Sequence, residues 1–275
     1  MNKILPEKVR VLAVVSPKGG SGKTTTTANL AVALSSFNKY ILAVDTNITT
    51  ASLGIHFDIV HPPVTFKEVL DNNFSILKAM YFYNKYLQVI PSALSIELKD
   101  EPLAISEKIR KLTDHYDILL SDVVRRYDLI LIDSAPGFST EALAAMQTAD
   151  ALLLVTNPEF PSIAVTTKSV EYAKYLKRPI IGIVLNKVSG KSYELTKEEV
   201  EESLGVKVIA EIPDDPKVPE SIAYRIPVVS YSPRSPASIA YKQLAAQLIG
   251  EEYEESKAGL WWRIKWFVKQ IFSIE

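Results

Sequence analysis

The chain has 275 residues, of which 47% are hydrophobic and 23% charged, a globular composition that excludes wholesale disorder. It contains no cysteine, which excludes disulfides, a thiol nucleophile, Cys-ligated zinc and Cys-held iron–sulfur clusters. The formal net charge of -1 argues against a molecule-wide cationic surface for nucleic acid and leaves only a local basic patch open.

The first ten residues are not expected to act as a signal peptide, because they carry charges and a proline and lack an apolar stretch. No run of about 18 apolar residues occurs, so no segment is expected to span a membrane. We therefore expect a cytoplasmic protein.

Apolar, β-branched runs alternate with helical patterns along the chain. The runs predict strands at Val9–Val15, Tyr40–Val44, Leu87–Ile90, Asp128–Ile132, Ala151–Thr156, Pro179–Leu185 and Lys207–Ile212. Helices are predicted at Thr24–Phe37, Ser106–His115, Glu141–Thr148, Ala164–Leu176, Thr196–Leu204 and Pro236–Ile249. This alternation indicates an α/β fold with a doubly wound, mostly parallel sheet and helices on both faces.

The pattern divides the chain into three segments. Residues 1–250 form one domain, whose last predicted helix ends just before Gly250. Residues 251–259 are acidic, lack apolar periodicity and predict a linker. Residues 260–275 are aromatic and basic and predict a separate amphipathic helix.

A glycine-rich loop, Ser16–Thr25, connects the first predicted strand to the first predicted helix. Glycines allow backbone N–H groups to approach phosphate oxygens, and the helix presents its positive end to the anion. Lys23 can reach the β- and γ-phosphates, and the Thr24 hydroxyl can ligate Mg²⁺. A plain glycine turn is the alternative, but strand, glycines, Lys-Thr and helix in this order favour a nucleotide site. Its predicted residues are Gly19, Gly20, Ser21, Gly22, Lys23, Thr24 and Thr25.

A second lysine, Lys18, precedes these glycines, and Lys18–Thr24 resembles the deviant Walker A motif of the MinD/ParA family of P-loop ATPases. The resemblance implies ATP and Mg²⁺ as cofactors and a homodimer that sandwiches ATP. It also implies that Lys18 reaches the nucleotide across the dimer interface. A solvated surface lysine is the alternative interpretation.

Two carboxylates at predicted strand ends extend the resemblance. Asp45 stands at the family's switch I position, and Asp133–Gly137 resembles its switch II segment. Carboxyl ends of parallel strands face the ligand crevice of an open sheet. The resemblance implies that Thr24, Asp45 and Asp133 hold Mg²⁺, in part through water.

Two further segments resemble the family's base-binding elements. Leu185–Lys187 implies that Asn186 hydrogen-bonds adenine, and Glu211–Asp215 implies that Pro213 and Asp214 line the adenine pocket. The resemblance spans about residues 9 to 250 and is nearest to MinD-like proteins.

Asn47 departs from the family pattern, which usually has a second aspartate two residues after the switch I aspartate. An amide can orient the attacking water but cannot act as a carboxylate base. Because phosphoryl transfer depends mainly on positioning and charge stabilisation, we expect a slow ATP hydrolase. The implied catalytic residues are Lys18, Lys23, Asp45, Asn47 and Asp133.

Two other features are given structural roles. His56, His61 and His115 are scattered without metal-ligand spacing, which predicts core or surface histidines. The aromatic segment Tyr81–Tyr86 is expected to pack against the sheet rather than stack on nucleic-acid bases.

The segment Leu260–Phe272 places its apolar residues in a stripe roughly 140° wide on a helical wheel. Arg263, Lys265 and Lys269 flank the stripe, a pattern typical of helices that lie in an anionic lipid interface. Packing on the chain's own domain or on a partner is the alternative. The resemblance favours lipid, because MinD proteins bind membrane through such a helix.

Together these features predict a MinD-like, dimerising, membrane-associating ATPase that acts as a positional switch, for a division site or for a protein or organelle. It would lie peripherally at the inner face of the cell membrane and respond to a protein activator or cargo. One alternative is a ParA-like partition ATPase that binds DNA non-specifically, which the balanced charge disfavours. Another is an ATP-locked scaffold with negligible hydrolysis, suggested by Asn47.

Overall fold

The computed structural model describes residues 3–48, 51–72, 74–92 and 105–253. Within these ranges eight strands form one sheet, with β3 antiparallel to β4 and every other neighbouring pair parallel. The order across the sheet is β3-β4-β2-β5-β1-β6-β7-β8. The strands are β1 (Val11–Val15), β2 (Ile41–Asp45), β3 (Tyr81–Asn84), β4 (Leu87–Ile90), β5 (Leu129–Asp133), β6 (Ala151–Thr156), β7 (Ile180–Val188) and β8 (Val208–Pro213).

Helices cover both faces of this sheet. On one face α1, α8 and α9 pack against the sheet, and on the other face α2 to α6 do so. In the described ranges the helices are α1 (Lys23–Ser35), α2 (Phe66–Asn72), α3 (Ile105–Ser121), α4 (Thr140–Thr148), α5 (Phe160–Tyr175), α6 (Lys197–Leu204), α7 (Lys217–Ala223), α8 (Val228–Tyr231) and α9 (Pro236–Ile249).

The central strands β2, β5, β1 and β6 are apolar up to their last residue because both of their faces are covered, and β2, β5 and β6 end in the polar residues Asp45, Asp133 and Thr156. In β1, Leu12 and Val14 join the core layer beneath α1 and α9, whereas Val11, Ala13 and Val15 join the opposite layer. The predicted doubly wound, mostly parallel α/β fold is therefore confirmed.

The predicted elements agree with the structure apart from their ends and one edge strand. The strands at Leu87–Ile90 and Ala151–Thr156 and the helix at Pro236–Ile249 have the predicted bounds. The expectation that Tyr81–Tyr86 packs against the sheet is wrong, because Tyr81–Asn84 is itself the edge strand β3. An edge strand needs only one covered face, and Phe82 remains 80% exposed.

The predicted helices also differ from the structure in three short helices and in the start of α5. The prediction missed α2, α7 and α8, which are too short to show a helical period. It also began α5 too late, at Ala164, because Pro161 was not recognised as a residue of its first turn.

The topology brings the carboxyl ends of the parallel strands to one edge, where the loops after β1, β2, β5, β7 and β8 meet. None of the helices in the described ranges is long and apolar enough to cross a membrane. Most of the predicted linker and the whole of the predicted helix at 260–275 lie outside the described residues.

Candidate nucleotide-binding site

The glycine-rich loop connects β1 to α1 and leaves the start of that helix uncapped. Gly22 is the N-cap residue and has a left-handed φ of 91°, and no side chain caps the first turn. A Cβ at Gly22 would lie 2.0 Å from Asn186 Nδ2, so a larger residue would displace that side chain and be strained at this φ. The free N–H groups of the first helical turn are therefore available to an anion.

The loop forms one wall of a cavity of about 820 Å³, a size typical of cofactor sites. Most of the predicted site residues line it, including the predicted base-binding residues. They are Lys18, Gly19, Gly20, Ser21, Gly22, Lys23, Thr24, Thr25, Asn47, Asn186, Pro213 and Asp214.

The two remaining predicted residues, Asp45 and Asp133, are buried at the ends of β2 and β5. Lys23 Nζ lies 2.6 Å from Asp133 Oδ1, and the ion pair is almost fully buried. The Thr27 hydroxyl donates to the same oxygen at 3.1 Å. Asp133 Oδ2, in contrast, is buried and has no hydrogen-bond partner among the described residues.

This unpartnered oxygen is the feature that fits a magnesium ion. A buried acceptor without a donor is costly, and a hydrated divalent cation would satisfy it. The Thr24 hydroxyl lies 3.5 Å from Lys23 Nζ, the same ammonium that contacts Asp133. Thr24 and Asp133 therefore lie close to one lysine, and their role in holding Mg²⁺ stays a prediction.

Asp45 is held by backbone donors and by its burial. Its Oδ2 accepts the N–H groups of Ser52 and Leu53, both at 3.0 Å, and its Oδ1 accepts the N–H of Asn47 at 3.0 Å. Burial, and next the negative charge of Asp133, raise the pKa of Asp45 to about 7, although the backbone donors act in the opposite direction. A cation at this site would stabilise the ionised form.

His56 lines the cavity, a role that the sequence analysis did not give it. It is buried in the 3₁₀ turn Gly54–Phe57, and its Nδ1 lies 3.1 Å from the carbonyl oxygen of Ser52. Because a carbonyl only accepts, Nδ1 carries the proton, and Nε2 accepts from the Thr25 hydroxyl at 3.3 Å. Burial lowers the pKa of His56, which keeps the ring neutral.

The segment that follows β2 therefore contacts the phosphate loop at two points. Ser52 donates its hydroxyl to Thr24 Oγ1 at 3.2 Å, and His56 contacts Thr25. His61 and His115, by contrast, are exposed, as predicted for surface histidines.

Asn186 braces the loop at the end of β7. Its Nδ2 donates to the carbonyl oxygen of Ser21 at 2.7 Å, and Asn157 donates to the Asn186 carbonyl at 3.0 Å. The predicted hydrogen bond of Asn186 to adenine stays a prediction.

The base side of the cavity has further walls that were not predicted. Three apolar side chains of α7 line it, and they suit a flat aromatic base: Val218, Pro219 and Ile222. Asp215 fixes the loop after β8, because its carboxylate accepts the N–H groups of Lys217 and Ala237 at 2.9 and 3.1 Å.

Lys18 lies at the rim and makes different contacts from Lys23. Its Nζ is 3.3 Å from both Glu159 Oε2 and Ser162 Oγ at the start of α5, and 47% of the side chain is exposed. The loop therefore holds one buried and one accessible ammonium.

Comparison with known proteins identifies the family of this chain. The family model described as ParA, NUBPL iron-transfer P-loop NTPase, matches residues 8–249. The chain belongs to the MinD/ParA family. An uncharacterised ATP-binding protein of Methanocaldococcus jannaschii is 37% identical over 245 residues, which cover 88% of this chain and 89% of that protein. Because this member of the family has no cysteine, it has no thiolate to hold an iron–sulfur cluster.

Two solved archaeal structures share the fold of this MinD/ParA protein. The cell division ATPase MinD of Pyrococcus furiosus is 34% identical, with a TM-score of 0.78 and coverage of 87% of this chain and 98% of that one. The septum site-determining protein MinD of Pyrococcus horikoshii, solved with Mg-ADP, is 31% identical, with a TM-score of 0.78 and coverage of 87% and 95%.

Proposed function

We propose that this protein is a MinD-like ATPase that dimerises with ATP, binds an anionic membrane surface and acts as a positional switch. The observation that carries the proposal is the division between the two loop lysines. Lys23 is buried beside Asp133, where it can serve the chain's own nucleotide, whereas Lys18 is accessible at the rim. An accessible ammonium beside a phosphate site is suited to a nucleotide bound by a second subunit.

In this proposal the chain positions the phosphates and the water. The Lys23 ammonium moves from Asp133 to the phosphate oxygens, and the N–H groups of the first turn of α1 donate hydrogen bonds to the same anion. Thr24, Asp45 and Asp133 would hold Mg²⁺, which supplies charge neutralisation when it is bound. Asn47, at the cavity wall, orients the attacking water through its amide.

Membrane association would come from Leu260–Phe272, outside the described residues. One amphipathic helix binds lipid reversibly, and a dimer that joins two such helices binds far more strongly. ATP would therefore recruit the protein from the cytoplasm to the inner face of the cell membrane, and hydrolysis would release it. A protein activator or cargo would act on the dimer.

Co-sedimentation with anionic vesicles tests the proposal. We expect the full chain to bind with Mg·ATP and to dissociate with Mg·ADP. Phe267→Glu should abolish binding, because it places a charge in the apolar stripe. Gln270→Glu, which adds the same charge outside the stripe, is the matched control and should bind. Wild-type protein that ignores vesicles with ATP, or that binds double-stranded DNA instead, would contradict the proposal and favour a ParA-like partition role.

Asn47 supports a second candidate, an ATP-locked scaffold. It is buried at the cavity wall where the family usually has a carboxylate. If the protein is a switch, wild type should release phosphate slowly, and Asn47→Asp should raise the rate because a carboxylate holds the water better. Phosphate release indistinguishable from zero in wild type identifies the scaffold. A wild-type rate equal to or above that of Asn47→Asp would show that the amide is a competent substitute.

A further inference from the structure

A groove lies on the outer side of β8, away from β7. In the described part of the chain β8 pairs with β7 alone, so its other edge is open. The groove has a volume of about 420 Å³ and lies between β8, the start of α6 and one face of α9. It shares no lining residue with the nucleotide cavity. We call it the α9–β8 groove.

The α9 wall of this groove presents one face of the helix. Ala240, Gln243, Leu244 and Gln247 line it, and their spacing of three, one and three places them in one stripe. Leu244 is buried and forms the floor, whereas the other three are half-buried. From the sheet, Ile209 adds a half-buried apolar side chain. The face thus combines an alanine, a leucine and two glutamines with Ile209 of β8, and its spacing allows another helix to pack along it.

The end of the described chain leads into the groove. Tyr253 lines it, and residues 254–275 follow directly. The six residues of 254–259 reach about 20 Å when extended, and the α9 face is about 10 Å long. Leu260–Phe272 can therefore fold back antiparallel to α9, as in a helical hairpin. Without lipid, its apolar stripe needs such cover.

The charged residues of the groove balance each other. Glu211 of β8 is exposed and forms no ion pair with a described residue, and Lys197 at the start of α6 lines the same groove. The tail is therefore favoured as occupant by the place where the described chain ends, at Tyr253 in the groove wall, and not by charge.

We propose that Leu260–Phe272 docks into the α9–β8 groove of its own chain when no membrane is present. Lipid must then displace the tail, so docking lowers the apparent affinity for vesicles. The docked state can be tested without lipid, whereas only the competition with vesicles rests on the proposed function. A second copy of the chain or another protein would be the other occupants.

Tryptophan fluorescence reports on the tail alone, because all three tryptophans of the chain lie in it: Trp261, Trp262 and Trp266. In nucleotide-free full-length protein we expect acrylamide quenching at least threefold weaker than in the guanidinium-unfolded chain. Gln243→Lys with Gln247→Lys should restore strong quenching, since it repels the basic tail from two half-buried positions that tolerate lysine. Ser121→Lys with Ala164→Lys, which adds the same charge on other helices, is the matched control and should quench as wild type.

Vesicles supply the second readout. The Gln243→Lys, Gln247→Lys protein should bind anionic vesicles at least threefold more tightly than the control, because the competing site is lost. Strong quenching in wild type, or protection that the groove variant leaves unchanged, would overturn the docking proposal. Protection that disappears on dilution would also overturn it and assign the groove to a second copy. If tail fluorescence ignores vesicles while the docking results hold, only the membrane proposal fails.

Discussion

At the scale of single residues, substitution of Lys23 should affect ATP binding, whereas substitution of Lys18 should affect dimerisation. Lys23→Ala should abolish ATP binding, because no other described lysine lies beside Asp133 to meet the inner phosphates. Lys23→Gln should do the same while its amide can still donate to Asp133, which guards against simple unfolding. Lys18→Ala should spare nucleotide binding by the monomer and block the ATP-dependent dimer.

Calorimetry and analytical ultracentrifugation measure these two outcomes. Unchanged ATP affinity in both Lys23 variants would refute the phosphate-loop assignment. A dimer that still forms with ATP in Lys18→Ala would refute the role of the rim lysine.

His56 should make stability depend on pH. Its pKa is lowered in the folded state, so below about pH 6.5 the unfolded chain binds a proton more readily and folding is disfavoured. The stability that His56 contributes is present above that pH and is lost as the pH falls. His56→Gln should cost about 1–2 kcal/mol at pH 7.5, through its two hydrogen bonds, and should lose stability less steeply towards pH 5.5.

Thermal unfolding of nucleotide-free protein at several pH values measures this slope. Asp45 contributes a pH dependence of opposite sign. Because its pKa is raised in the folded state, the free energy of unfolding falls as the pH rises from about 4 to 7. That contribution is common to all variants and cancels in the difference. His61→Gln, at an exposed position, is the control and should keep the wild-type slope. If the stability of His56→Gln and of wild type changed equally with pH, the lowered pKa of His56 would be contradicted.

At the scale of elements, the pairing of β7 with β8 depends on a missing side chain. A Cβ at Gly182 would lie 2.5 Å from Ile209 Cγ2 on β8. We expect Gly182→Ala to cost about 1–3 kcal/mol in urea unfolding, as overpacking does, and Ile209→Ala in the same chain to recover part of that loss. Gly19→Ala, where a Cβ meets open space, should leave the unfolding free energy unchanged. Strictly additive effects of the two substitutions would show that the clash is relieved in another way.

Elements whose signal is local were predictable from sequence. The buried strands β1, β5 and β6 are continuous apolar runs, and the glycine loop with Lys23 and Thr24 is contiguous in the chain. Edge strand β3 was missed because its alternation of covered and exposed side chains spans only four residues.

Contacts between distant segments could not be predicted in the same way. His56 reaches Thr25, and Asp215 reaches the start of α9, only after the chain has folded. Asp215 ended a segment that resembles a family element but had no role of its own there, and His56 was noted only for its lack of metal-ligand spacing. Their roles follow from distances in space, which spacing along the chain does not record.

At the scale of the whole molecule, the domain and the tail should be separable. The residues that line the candidate nucleotide cavity all lie before residue 223, and the core of the described chain ends with α9. Truncation after Gly259 should therefore leave Mg·ATP affinity unchanged by calorimetry and abolish vesicle binding. A truncated protein that unfolds, or that no longer binds ATP, would show that the segment belongs to the core.

The ion pair between Lys23 and Asp133 has a consequence for product release. When a nucleotide departs, the ammonium does not remain stranded in a dry pocket, because Asp133 stands 2.6 Å away to receive it. The empty protein is thereby stabilised relative to the loaded one, and each phosphate must compete with a resident carboxylate. If ATP and ADP bind here as proposed, both must displace the same carboxylate from Lys23, which should lower the affinity for each of them.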